Sequence, residues 1–180
     1  MSTLTLILGG ARSGKSSYAL KLAKESGNPV TFIATAQAFD NEMSARIQKH
    51  KTERPAEWST LELPMNLAKH IDKIHSEVVI LDCVTLLATN LMMQFVKDDL
   101  VDELSYLNAI QNEMEALLSA IRNSNQNWLV VSNEVGLGLV PPYQMGRIYR
   151  DGLGWANQRL AKEADTVLFM VAGLPMTIKS

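Results

Sequence analysis

Gly9-Gly10-Ala11-Arg12-Ser13-Gly14-Lys15-Ser16 is the stretch whose reading decides the fold. It follows the apolar run Leu4-Thr5-Leu6-Ile7-Leu8 and precedes a helix-like run from Ser17 to Lys24. Strand, glycine loop and helix in that order, with Gly9, Gly14, Lys15 and Ser16 at the required spacing, make a P-loop. Glycine lets the backbone wrap closely around a polyphosphate with successive N–H groups pointing inward. The following helix aims its N-terminal amides and the positive end of its dipole at the same anion. Lys15 is placed to reach the β and γ phosphates, and the Ser16 hydroxyl to ligate Mg²⁺. Chance glycines in a strand–turn–helix would match the spacing without this flanking context.

Working outward, apolar runs alternate with helical patterns. Strands are predicted at Leu4–Leu8, Val30–Ala34, Val78–Leu81, Trp128–Val131 and Thr166–Val171. Most are continuously apolar, as in parallel strands covered on both faces. Helices are predicted at 16–25, 39–51, 65–75, 102–122 and 143–164, with Asp40 as a cap for the second. In the fourth, Leu104, Leu107, Ile110, Met114, Leu117, Leu118 and Ile121 form one stripe, which reads as core packing. Met176-Thr177-Ile178 after the Gly173–Pro175 turn suggests an edge strand. The alternation implies an α/β fold: a doubly wound, mostly parallel sheet of the RecA-like P-loop NTPase kind, with helices on both faces. Residues 1–180 then form a single nucleotide-binding domain, its ligands at the carboxyl ends of the strands.

Composition narrows the function. The chain has 180 residues, 47% of them hydrophobic, which suits one domain with a proper core. A net charge of -2 provides no basic field for nucleic acid. Cys83 is the single cysteine, so no internal disulfide or thiol zinc cluster forms; its apolar setting predicts a buried thiol. No signal peptide is expected before the first strand, and no apolar run is long enough to cross a bilayer, so a cytoplasmic location without membrane insertion is expected.

Three further places carry chemistry. Val78-Val79-Ile80-Leu81-Asp82 is an apolar strand ending in an acid, the position from which Asp82 would hold Mg²⁺. In Arg46-Ile47-Gln48-Lys49-His50-Lys51-Thr52-Glu53-Arg54, four cations crowd one imidazole. Such a cluster is usually a solvated face. Beside a triphosphate it becomes useful, because neighbouring cations keep the imidazole neutral and able to attack phosphorus. Asn133-Glu134-Val135-Gly136 puts a polar pair at a strand end; Glu134 reads equally as a base, a Mg²⁺ partner, a hydroxyl acceptor or a turn cap. His70 and His75 read as solvent-facing.

Gly9–Ser16, Ala34-Thr35-Ala36, Arg46…His50-Lys51…Arg54-Pro55-Ala56…Trp58, Cys83-Val84-Thr85…Thr89-Asn90 and Asn133-Glu134-Val135-Gly136 occur in that order. The set resembles the bifunctional adenosylcobinamide kinase / adenosylcobinamide-phosphate guanylyltransferases of cobalamin biosynthesis, over nearly the whole chain. The resemblance implies two reactions. A nucleoside triphosphate, ATP or GTP, phosphorylates adenosylcobinamide. A histidine, aligned with His50, then takes GMP from GTP and passes it to adenosylcobinamide-phosphate. Some relatives carry another histidine where this chain has Lys49. The resemblance also implies nucleotide contacts from Gly9, Gly10, Ala11, Arg12, Ser13, Gly14, Lys15, Ser16, Ala34, Thr35, Ala36, Lys51, Thr52, Glu53, Arg54, Glu62 and Val84. Lys15 joins His50 as catalytic, Ser16 and Asp82 hold the metal, and the chain is expected to be a homo-oligomer such as a trimer.

Two competing readings make different predictions. A P-loop small-molecule kinase would use His50 only to bind phosphate. A RecA-like ATPase acting on nucleic acid would need a basic stripe, and the net acidity argues against it.

Overall fold

The computed structural model describes residues 2–38, 41–52 and 54–180; the side chains of residues 41–43, 46, 49 and 50 lie outside that description. The predicted cap Asp40 also lies outside the described residues. Each predicted strand is present: β1 Thr3–Gly9, β2 Val30–Ala34, β4 Val78–Asp82, β7 Asn127–Val131 and β8 Thr166–Val171. They join β3 Ser59–Glu62 and β9 Leu174–Lys179 in a seven-stranded sheet of order β3-β2-β4-β7-β1-β8-β9. All neighbours are parallel except β8 and β9. The predicted edge strand is thus β9, entered through Ala172 and Gly173, both at positive φ (50° and 84°). That geometry suits a tight two-residue hairpin. A small hairpin, β5 Val96–Lys97 and β6 Leu100–Val101, turns in the same way at Asp98 and Asp99.

Residue parity decides which face each strand side chain joins. Leu4, Leu6, Val79, Leu81, Trp128 and Val130 pack against α3 Val84–Met93, α4 Glu103–Arg122 and α5 Gln144–Glu163. Ile7, Val78, Ile80, Leu129 and Val131 pack on the other face with Ala19, Leu20 and Ala23 of α1 Lys15–Glu25. The remaining helix, α2 Asn41–Thr52, lies between β2 and β3 in the chain.

Two expectations change, and α3 and β3 were not among the predicted elements. The predicted helix over 65–75 is a 3-10 helix, Leu67–Lys73. Helix α3 has apolar residues around much of its circumference, so no amphipathic period marks it; seven of its ten residues are buried. β3 was hidden because it is a short, largely exposed edge strand. Leu104, assigned to the α4 stripe, is 71% exposed, whereas Ile110, Met114 and Leu117 are buried as expected. At the start of α4 the core contact is made by Tyr106, which is fully buried, and Leu104 points away from it.

Leu117→Ala should lower stability by about 2–5 kcal/mol, because the site cannot collapse around the lost volume. Leu104→Ala should stay within about 0.5 kcal/mol. Urea midpoints of the two variants check this; equal midpoints would contradict the packing described.

Candidate active site

The P-loop takes its shape from two glycines. At Gly14 φ is +95°, and a Cβ would lie 3.1 Å from the Gly173 Cα. At Gly9 a Cβ would lie 2.6 Å from both the Met170 carbonyl oxygen and the Ser13 Oγ. The contact with the Met170 backbone oxygen rules out a side chain at Gly9, and at Gly14 the positive φ together with the tight approach to Gly173 strains one. The Gly173 N–H donates to the Ser13 carbonyl at 3.0 Å, which closes that contact.

Lys15 opens α1 and is only 7% exposed. Its ammonium donates to the Gly10 carbonyl at 2.6 Å. Burial pulls its pKa below the usual lysine value, while Cys83 and Asp82 oppose that shift. The cation is therefore held beside the acidic end of β4, inside a groove of about 1410 Å³.

That groove gathers most of the predicted site. Ala11, Arg12, Ser13, Gly14, Lys15 and Ser16 line it from the P-loop; Ala34, Ala36, Asp82 and Glu62 line it from the strand ends. Ser44, Ile47, Gln48 and Lys51 line it from α2, followed by Arg54. Their spacing along α2 is that of one helical face. Lys51 binds Glu62 at 2.6 Å, and this hydrogen bond holds the Glu62 carboxyl below the usual carboxylate range. Arg54 lies over the Phe32 ring, 3.5 Å from its centroid, so a cation–π contact orients the guanidinium.

Other predicted residues stand elsewhere. The Gly9 and Gly10 residues shape the loop without lining the groove. Val84 is fully buried in the core at the start of α3, where its side chain is packing. Thr52 is exposed and outside the groove lining. Glu53 lies outside the described residues, as does the side chain of His50, whose backbone belongs to α2 between Gln48 and Lys51. Of the histidines read as solvent-facing, His75 is exposed and His70 half-buried.

Thr35 sits beneath the groove, fully buried. Its Oγ1 donates to the Cys83 carbonyl at 2.8 Å and accepts from the Cys83 N–H at 2.8 Å. Asn90 of α3 donates to the Thr35 carbonyl at 2.8 Å and the Pro64 carbonyl at 3.0 Å. These two side chains tie the ends of β2, β3 and β4 together. Thr85 accepts from the Asn133 N–H at 2.8 Å, and Asn157 of α5 donates to the Asn133 carbonyl at 2.9 Å. Sequence reading singled out Phe32, Thr85 and Asn133 for no nucleotide contact; Thr85 and Asn133 were marked only by lying just beyond predicted strand ends, and Phe32, in the middle of β2, by nothing. Arg159 and Arg147 serve structure: Arg159 binds Glu115 and Glu163, and Arg147 donates to the Pro141 and Pro142 carbonyls.

Ser16 and Asp82 fit a Mg²⁺ ion. Both line the groove beside Lys15, and Mg²⁺ bound with a nucleotide needs only one or two protein oxygens besides phosphate and water. Among the described residues no cluster of three or more His, Cys, Asp or Glu offers an all-protein cage. Nor is any described helix long and apolar enough to cross a membrane.

Known proteins share these features. A family profile described as "Cobinamide kinase / cobinamide phosphate guanyltransferase" matches residues 5–178. The chain is 46% identical over 176 residues to the "Bifunctional adenosylcobalamin biosynthesis protein CobP" of Pseudomonas aeruginosa, covering 97% of this chain and 96% of that protein. It is 40% identical over 181 residues to the "Bifunctional adenosylcobalamin biosynthesis protein CobU" of Escherichia coli, covering 98% and 99%. Among solved structures, the RadB recombinase superposes with a TM-score of 0.51 at 14% identity, over 93% of this chain and 73% of that one. A DnaB-like replicative helicase does so with a TM-score of 0.53 at 13% identity, over 93% and 46%. These two likenesses establish the RecA-like P-loop fold.

Cys83, predicted as a buried thiol, is partly buried at the edge of the groove and packs against the α1-face core. Desolvation, then the Asp82 charge, pushes its thiol up to about 12. An unfolded thiol titrates near ~8.5. At pH 8 the native thiol is therefore protonated while about a quarter of the unfolded thiol is thiolate, the reactive form. Iodoacetamide labelling followed by mass spectrometry should be at least about 100-fold slower in the folded chain at pH 8. Equal rates would refute the shift.

Proposed function

Because the chain belongs to the cobinamide kinase / cobinamide phosphate guanyltransferase family, we propose that it phosphorylates adenosylcobinamide and then caps the new phosphate with GMP. His50 is the covalent carrier of that GMP. One observation supports this reading best: the P-loop, Asp82 and α2, the helix that contains His50, meet around a single groove.

In the kinase step the P-loop amides and Lys15 hold the β and γ phosphates. A Mg²⁺ ion held by Ser16 and Asp82 would neutralise charge on the same oxygens. Lys15 is already desolvated, so its attraction for a polyphosphate is stronger than that of a surface lysine. In the transferase step a neutral His50 imidazole attacks the α-phosphorus of GTP. A P–N bond forms, the bond to the β-phosphate oxygen breaks, and pyrophosphate leaves with its electron pair. The phosphate of adenosylcobinamide-phosphate then displaces the imidazole, yielding adenosylcobinamide-GDP. Lys51 and Arg54, which follow His50, supply positive charge around the GMP phosphate.

The two steps attack different phosphorus atoms. In-line displacement at γ and at α requires either two nucleotide poses or a displacement of α2. Within this reading the Lys51–Glu62 bridge is one contact that such a displacement would break.

Incubation with α-labelled GTP should leave acid-labile, base-stable label on the wild-type chain and none on His50→Ala. Absence of protein-bound label would leave only a kinase. Lys15→Ala should abolish both activities, and retained guanylylation would exclude a shared P-loop. Asp82→Asn should lower Mg²⁺-dependent kcat at least about 10-fold with nucleotide Kd changed far less; unchanged turnover would remove Asp82 from the metal site.

A further inference from the structure

A second cavity of about 500 Å³ opens at the same carboxyl edge of the sheet, on the face covered by α5. Apolar Leu8, Trp155 and Ala161 line it together with polar Glu134, Arg150 and Gln158. The course of the chain just past β7 sets its position. Val131 and Asn133 line the nucleotide groove, and Glu134, next in the chain, lines the second cavity. The Asn133–Glu134 backbone is therefore the ridge between the two. The Glu134 N–H also donates to the Gly9 carbonyl at 3.0 Å, which fixes this residue to the start of the P-loop.

The other carboxylates at this edge have work. Asp82 stands with Lys15 and Ser16, and Glu62 is bound to Lys51. Glu134 makes no ion pair among the described residues. Its Oε1 accepts the Gly136 N–H at 2.6 Å, and its Oε2 has no partner among the described residues. Beyond Gly136, the apolar residues Leu137, Leu139 and Val140 are 80%, 97% and 62% exposed. The base of their loop is anchored by Arg147 on the Pro141 and Pro142 carbonyls.

We propose that this second cavity receives the hydroxyl-bearing arm of the acceptor and that Glu134 is the general base of phosphoryl transfer. The proposal rests on the kinase half of the function above. The acceptor's large macrocycle would lie against the exposed apolar loop, and its short arm would enter the cavity beside the P-loop. The hydroxyl oxygen attacks the γ-phosphorus. A new O–P bond forms while the bond from γ-phosphorus to the β-bridging oxygen breaks, and the nucleoside diphosphate leaves with that electron pair. The hydroxyl proton passes to Glu134 and from there to solvent. GMP transfer needs no such base, because its nucleophile is a phosphate oxygen that is already anionic at neutral pH. The two reactions therefore differ in their need for one carboxylate.

The test is Glu134→Gln in the full chain, with the two reactions assayed separately: phosphorylation of adenosylcobinamide, and GMP transfer to supplied adenosylcobinamide-phosphate. The expected result is a fall of about 10²–10⁴-fold in kinase kcat with loss of the acid limb of its pH profile. GMP transfer should change by less than about threefold. Equal losses in both reactions, or no loss in either, would overturn the base assignment. A second variant tests the cavity itself. A Cβ on Gly154 meets nothing within 4 Å, so Gly154→Leu fills the space without backbone strain. It should raise the acceptor KM about 10-fold or more while nucleotide Kd is kept. An unchanged acceptor KM, with or without a change in sedimentation, would assign the cavity to something else, a second copy included. If the wild-type chain does not phosphorylate the corrinoid at all, the kinase reading fails first, and this proposal with it.

Discussion

A buried ammonium governs the architecture of the site. Lys15 is 93% removed from solvent (7% exposed), and a charge so placed is costly unless oriented oxygens surround it. One of these oxygens is the Gly10 carbonyl, and the Asp82 charge lies nearby. An anion entering the loop therefore meets a partly desolvated cation that already faces the groove. This arrangement depends on Gly9 and Gly14, which let the loop close on the β8–β9 turn, where a side chain would collide with Met170 or be strained against Gly173.

The groove around that cation is stiffened from below by a few buried polar side chains. Thr35 spends its hydroxyl on both backbone groups of Cys83, and Asn90 spans the carbonyls of Thr35 and Pro64. Ser132 donates to Asn157 Oδ1 at 2.7 Å, while the Asn157 amide holds Asn133. Buried polar groups that are fully bonded fix geometry, because any rearrangement leaves a donor or acceptor unsatisfied in a poorly solvating interior. The strand ends are thereby held in register before any nucleotide arrives. By contrast, α2 reaches the groove through the Lys51–Glu62 bridge and the Arg54–Phe32 contact, both near its C-terminal end. An exposed ion pair such as Lys51–Glu62 contributes little to stability, whereas the cation–π contact orients the Arg54 guanidinium toward the groove.

Two cavities back to back also give a physical reason why one small scaffold supports two transfers. Just past the end of β7, Asn133 lines one space and Glu134 the other, so the two address different cavities across one ridge. A donor held on the α1 face and an acceptor arriving from the α5 face would then meet at the P-loop, with neither displacing the other.

Local sequence alone determined the P-loop, the acidic end of β4, the apolar parallel strands and the α4 stripe from Ile110 onward, because each is written in neighbouring residues through spacing, period or glycine content. Even the β9 edge strand was announced by a turn and three residues. The α3 helix was not, since a helix apolar on most sides lacks the period that marks amphipathic ones. Nor did spacing show that Val84 is core while Phe32 stacks on Arg54, or that Cys83 lies at the groove edge. Those outcomes depend on which face of a packed sheet a side chain meets, and on hydrogen bonds such as Asn90 to Thr35 that join residues 55 positions apart. Only the tertiary structure brings such residues together.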